Sequence, residues 1–502
     1  MKKSYTSIFI ILGIAVLFHA CDGQSDSLIN ERLENNPLPT LGSVGSADFS
    51  TFIAIGNSLS AGYMDGALYN DGQKNSYPAL IAKHINKTSE APFTFVQPDI
   101  NSVKGFNNTV KNPVADTVFG RFKLDTSIPA PSLTLGGDLP TAYTGPQVHN
   151  FGVPGIQVGQ LLTPLTGGPN DPANPAFNLF YERFASNPGT STIIGDAVAT
   201  EPTFFALWIG NNDILGYAAS GGSNEAIFTS VGDFETYFNG TINHLITSTK
   251  ADGIVTNIPF ILGLPFFQAV PYNAIPLTEQ ANVNALNAAY EPYNNGLKLA
   301  LQNNLITKAE VDRRTISFAL GANAYVMLDE SLTDLSSLTL PNIRQSEPTD
   351  LTLISAATAF AAGVGTATPA VDDLVLTPEE QTEIEQRTGA FNTTIKKAVE
   401  QNPTRLLLHD TNSSTGVFVD IFGISDGVPG ITVQGVNLAP DFSPNGIFST
   451  DAIHPNPRGH AIIANEMIGL INDKYGATIP FVSVVELPSV VVCGVGDCLS
   501  EQ

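Results

Sequence analysis

Residues 52–63 read FIAIGNSLSAGY, and the fold turns on how this stretch is parsed. Four apolar residues, Phe52 to Ile55, run into Gly56, Asn57, Ser58, Leu59 and Ser60, and a second glycine follows at Gly62. A short apolar run bounded by turn residues is the pattern of a strand buried on both faces, as in parallel sheets covered by helices. Ser, Asn and Gly are also ordinary turn formers. Ser58 therefore has two readings, a hydroxyl satisfying a turn or a nucleophile lifted off the end of a strand.

Working outward, comparable apolar runs occupy 51–55, 147–151, 203–209, 253–258 and 405–409. Between them lie helical patterns at 77–85, 230–249, 279–303 and 378–400. The last opens with Thr377 as N-cap, Pro378 at the first helical position and Glu379 and Glu380 in the first turn. Strands alternating with helices require right-handed crossovers, so an α/β core on a parallel sheet is predicted. Two regions break the rhythm and read as long insertions rather than separate domains. Residues 92–145 are rich in Pro, Gly, Thr and Asn with β-like FTFV and VFGRFKL, and 265–373 combine a helix, TISFAL and an Ala/Thr-rich stretch.

Three more segments share the property of the opening one, a polar group just beyond an apolar run. VHNFGVPGIQV carries Gly152 and Gly155, FFALWIGNNDIL runs into Gly210, Asn211, Asn212 and Asp213, and FSTDAIHPNPRGH sets Asp451 and His454 ahead of an apolar helix. Ligands collect at the carboxyl ends of parallel strands, so these segments are expected to meet. A serine needs a base within hydrogen-bond reach, and the base needs an orienting carboxylate. Asp451 and His454, three residues apart, supply both. Charge developing on an attacked carbonyl needs donors fixed in advance, and the candidates are the N–H of Ser58, the N–H of Gly155 and the amide of Asn212.

In this order the four segments resemble the sequence blocks of the SGNH/GDSL hydrolase superfamily, over 52–85, 148–259 and 376–475. The resemblance implies Ser58 as nucleophile, Gly155 and Asn212 as oxyanion donors, and Asp451 and His454 as the rest of a triad. It also implies a flavodoxin-like three-layer α/β/α sandwich carrying the insertions, and no cofactor. Asn57 stands where the family usually has Asp, which removes one negative charge beside the nucleophile. Other conspicuous residues read as structural: His409 beside Asp410, His460 on the last helix, His149, Trp208 in its apolar strand, and Asp213 as an anchor for its own loop. No clustered metal ligands and no Gly-rich phosphate loop with a lysine are found in the sequence.

The ends add a location. MKKSYTSIFIILGIAVLFHAC has two lysines, an apolar run over 8–18 and Cys21. The run is shorter than the roughly 20 residues a spanning helix needs and reads as an export signal over 1–20. It resembles a lipoprotein signal with Cys21 as the lipidated residue, ordinary secretion being the alternative. A polar tether over 21–47, a hydrolase domain over 48–475 and a tail over 476–502 complete the expected order. Cys493 and Cys498 lie close enough in sequence for a local disulfide, or stand as a pair of free thiols. The chain has a net charge of −24 over 502 residues, a surface that repels nucleic acid. The expected protein is an exported, membrane-anchored serine esterase acting on small acyl or lipid esters through an acyl-enzyme. The alternatives are a carbohydrate esterase that deacetylates glycans and, from another class, a non-catalytic glycan- or lipid-binding lipoprotein. The insertions are expected to wall or cover the site.

Overall fold

The computed structural model describes residues 41–88, 92–112, 115–125, 128–414, 416–424 and 427–493. At its centre lie five strands, β1 (Phe52–Gly56), β2 (Asn150–Gly152), β3 (Phe204–Trp208), β4 (Asp252–Thr256) and β5 (Leu406–His409). All neighbours are parallel and the order is β2-β1-β3-β4-β5. This is the flavodoxin-like winding, in which the strand order reverses between β1 and β3 and leaves a crevice at their carboxyl ends. Every residue of β1 and β3 is buried, which is why both read as unbroken apolar runs rather than alternating ones.

Helices cover the sheet in two groups. A one-turn helix, α1 (Ser58–Ala61), leaves the end of β1 directly. On one side α2 (Tyr77–Ile85) packs against the long α7 (Pro457–Tyr475); on the other α3 (Asn212–Ala219), α4 (Val231–Ser248) and α6 (Pro378–Glu400) pack together. Helix α6 starts as its sequence predicts, with a reciprocal capping box between Thr377 and Glu380. Strand β2 covers only Asn150–Gly152 against the expected run over 147–151, and the N–H groups of His149 and Asn150 turn to the Val96 carbonyl of the first insertion at 2.7 and 3.2 Å.

Both insertions are folded. In the first, Thr117–Asp125 pairs antiparallel with Asn108–Val110 and Ile128–Leu135, and parallel with Val492–Cys493 of the C-terminal segment. The second carries its own hydrophobic cluster, in which Val283, Tyr290, Tyr293 and Leu297 of α5 (Gln280–Gln302) meet Tyr325, Val326 and Met327. Beside that cluster the fully buried Arg344 forks onto Asp350 at 2.6 and 2.7 Å and donates through Nε to Asp329. Cys493 is in a disulfide whose partner lies outside the described residues, as do Cys498, Cys21 and the export signal expected over 1–20. Among the described residues no helix is long and apolar enough to cross a membrane.

Candidate active site

The crevice at the switch between β1 and β3 collects all four segments. Asn57 ends β1 and caps α1, its Oδ1 accepting from the Leu59 N–H at 3.0 Å, so Ser58 is the first residue of a helix that starts the moment the strand stops. The other end of the Asn57 amide donates to Asn211 Oδ1 at 3.2 Å, linking the ends of β1 and β3. Asn57 is fully buried. Helix α1 lies tight against β2: a Cβ on Gly152 would sit 2.2 Å from the Ala61 nitrogen, so only glycine fits there.

His454 arrives on the turn that precedes α7, whose N-cap is Asn456. Its Nε2 lies 2.9 Å from Ser58 Oγ, and its Nδ1 lies 2.9 Å from Asp451 Oδ2. With Nδ1–H donated to a carboxylate, Nε2 presents a lone pair to the serine hydroxyl. Asp451 is held by more than histidine: its Oδ1 accepts from the N–H groups of Ile453 and His454 at 2.9 and 2.8 Å, and its Oδ2 from the Gly66 N–H at 2.7 Å. Burial pushes this carboxyl up, but His454 and the backbone donors outweigh burial and hold it at about 2. The turn itself is strained at Ala452, whose φ of +64° places a side-chain-bearing residue in the left-handed region.

In the loop after β2, Gly155 has a φ of +82° and open space where a Cβ would be, with only Asn178 Nδ2 at 4.0 Å. Asn212 is the first residue of α3 and its amide donates to the Ile156 carbonyl at 2.8 Å, which ties it to the loop that carries Gly155. Asp213 beside it is fully buried and bonded to the Val158 N–H at 3.0 Å and the Thr229 hydroxyl at 2.8 Å. Burial pushes its carboxyl up to about 7. It anchors its loop, as expected.

An apolar cavity of about 60 Å³ opens beside Ser58 and His454. Its walls are Ile261 and Leu264 after β4, Phe418 and Phe422 on and just beyond a short helix (Val417–Ile421), and Phe448 ahead of the histidine turn. No lining residue falls within 92–145 or 265–373, so neither insertion walls the cavity as the sequence led us to expect. The wall at 418–448 was missed; its signal was the apolar run VFVDIF at 417–422, too short for a periodicity to register. Also missed were Asn211 and the loop at 65–66, which reach the site only in three dimensions.

The remaining residues behave structurally. Trp208 is buried and donates to the Asn257 carbonyl at 3.0 Å, though it also borders the cavity. His409 and His460 are fully enclosed, and burial holds them neutral at about 4 and about 3. His149 accepts from the Val96 N–H at 3.0 Å. Among the described residues the carboxylates of Glu330, Asp372 and Glu380 stand close enough to share a cation, and none of the three lines the cavity. Comparison with protein-family models, with curated proteins and with solved structures finds no match for this chain.

Proposed function

We propose that this protein is a serine esterase that cleaves short-chain carboxylic esters through an acyl-enzyme. The observation that carries the reading is the unbroken path from Ser58 Oγ to His454 Nε2 and from His454 Nδ1 to Asp451, each step 2.9 Å, at the mouth of a cavity. Ser58 Oγ attacks the ester carbonyl as Nε2 takes its proton. The negative charge moves to the carbonyl oxygen, where the Ser58 N–H, the Gly155 N–H and the Asn212 amide are the available donors. Collapse breaks the C–O bond, and the imidazolium returns its proton to the departing alcohol. Water then repeats the sequence on the acyl-serine, releasing the acid.

The cavity gives the acyl group a size. A cavity of about 150 Å³ accepts benzene, so 60 Å³ holds roughly two or three heavy atoms and favours acetyl or propionyl esters. Export and anchoring through Cys21 belong to the same proposal. If Cys21 carries lipid, the wild type partitions with membranes and Cys21→Ser does not.

The test is hydrolysis of p-nitrophenyl esters from acetate to octanoate, with Ser58→Ala as control. Wild type should cleave acetate fastest and Ser58→Ala should lose activity while keeping its circular dichroism spectrum and its melting temperature. A folded Ser58→Ala protein with full activity would remove Ser58 from the reaction.

A further inference from the structure

The first insertion does not wall the cavity, yet it is wired to the triad. Four residues beyond the end of α1, the loop at 65–66 touches the histidine turn through four hydrogen bonds. The Asp65 N–H donates to Ser449 Oγ at 2.9 Å, and Asp65 Oδ1 accepts from the Thr450 N–H at 2.9 Å and the Thr450 hydroxyl at 2.7 Å. The fourth is the Gly66 N–H on Asp451 Oδ2 at 2.7 Å. From behind, the loop is held by the insertion: the Phe122 N–H donates to the Asp65 carbonyl at 2.7 Å and Asn107 Nδ2 to the Gly66 carbonyl at 2.7 Å. The carboxylate is steered as well, Oδ2 accepting from the Tyr69 hydroxyl at 2.7 Å and lying 3.6 Å from Arg121, whose guanidinium stacks 4.0 Å over the Tyr69 ring. Asp65 adopts a φ of +54°, a conformation that costs a side-chain-bearing residue energy and persists where the surroundings over-determine it.

We infer that Asp65 is a positioning residue for the triad, and that the 92–145 insertion is the brace that holds it. Asp65 fixes the backbone of Thr450, one residue ahead of Asp451, while its neighbour Gly66 supplies a donor to the carboxylate that orients His454. Freed of Asp65, the turn lets Asp451 Oδ2 rotate off Nδ1, and the imidazole loses the orientation that points Nε2 at Ser58. The inference rests on the proposed esterase reading, and one of its measurements is independent of that reading.

Three variants test it: Asp65→Ala, which removes every side-chain contact, Asp65→Asn, which keeps an acceptor for Thr450 and tolerates a positive φ, and Tyr69→Phe, which removes one hydroxyl. The substrate-free readout is the His454 Nδ1–H resonance and imidazole titration in protein labelled at its seven histidines. The kinetic readout is kcat and KM for p-nitrophenyl acetate per folded molecule. Asp65→Ala should lose the resonance and drop kcat by about 10²-fold with KM within about 3-fold, and Asp65→Asn should recover kcat to within about 10-fold of wild type. Should Asp65→Ala not fold, Tyr69→Phe carries the same prediction at about 3- to 10-fold in kcat. An unchanged His454 resonance and kcat in folded variants would overturn the inference. If the wild type shows no Ser58-dependent hydrolysis, the esterase reading fails, and the resonance alone still decides whether Asp65 positions His454.

Discussion

At the scale of single residues, the site separates charge that is present from charge that is withheld. Asp451 is ionised over any working pH because its pKa sits at about 2, so the acid limb of kcat/KM should follow one proton, that of the imidazole. A limb with a slope of two would mean the carboxylate titrates with it. Asp213 is the opposite case, with a carboxyl raised to about 7 by burial. Between about pH 4 and 7 the folded protein keeps a proton there that the unfolded chain releases, so stability falls as pH rises through that window, by on the order of 4 kcal/mol in all. Asp213→Asn, whose amide can accept from Val158 and donate to Thr229, should flatten that slope in urea titrations run across the window. Asn212→Ala should lower kcat by about 10²-fold with little change in KM, as for a donor used mainly in the transition state. Ser58, Gly155, Asn212, Asp451 and His454 were legible because each sits in a short local pattern at the end of an apolar run. Asp65 was not, because its contact with Thr450 spans 385 positions and leaves no local trace.

At the scale of elements, the five strands were readable because doubly covered strands must be continuously apolar, and the long helices because their caps and periodicity agree. Helix α6 is the clearest case, its capping box standing in the sequence as it stands in space. The helix Val417–Ile421 was not readable, since five residues cannot establish a period. It nevertheless supplies Phe418 and Ile421 to the cavity wall, with Phe422 just beyond it, and on the proposed esterase reading this is where acyl length would be set. Phe422→Ala removes a ring from the lining, so the ratio of kcat/KM for hexanoate over acetate should rise by about 10-fold or more, against losses of about 10–200-fold that one methylene of misfit commonly causes. Measuring the full ester series for this variant checks it. A uniform loss across all chain lengths would show that Phe422 serves packing instead.

At the scale of the molecule, the two insertions do different work from the walls they were expected to form. The first braces the loop that touches the histidine turn, while the second donates the Phe266 N–H to the Ala452 carbonyl of that turn at 3.0 Å and organises its own apolar cluster beside a buried ion network. Arg344→Leu would leave Asp350 buried without its guanidinium and Asp329 with Arg313 alone at 3.2 Å, at a cost of about 3–5 kcal/mol, read as a fall in melting temperature. Because none of these groups borders the cavity, kcat on acetate esters should hold below the transition. The ends of the described chain carry a consequence of another kind. Ser43 and Ser46 bond to Thr478 and Tyr475, and the Phe49 ring packs tilted against that of Phe204, the first residue of β3, so the chain enters at the amino edge of the sheet while Ser58 opens at the carboxyl edge. On the proposed reading, a lipid at Cys21 would therefore be joined to the domain through the edge of the sheet opposite the one where Ser58 opens.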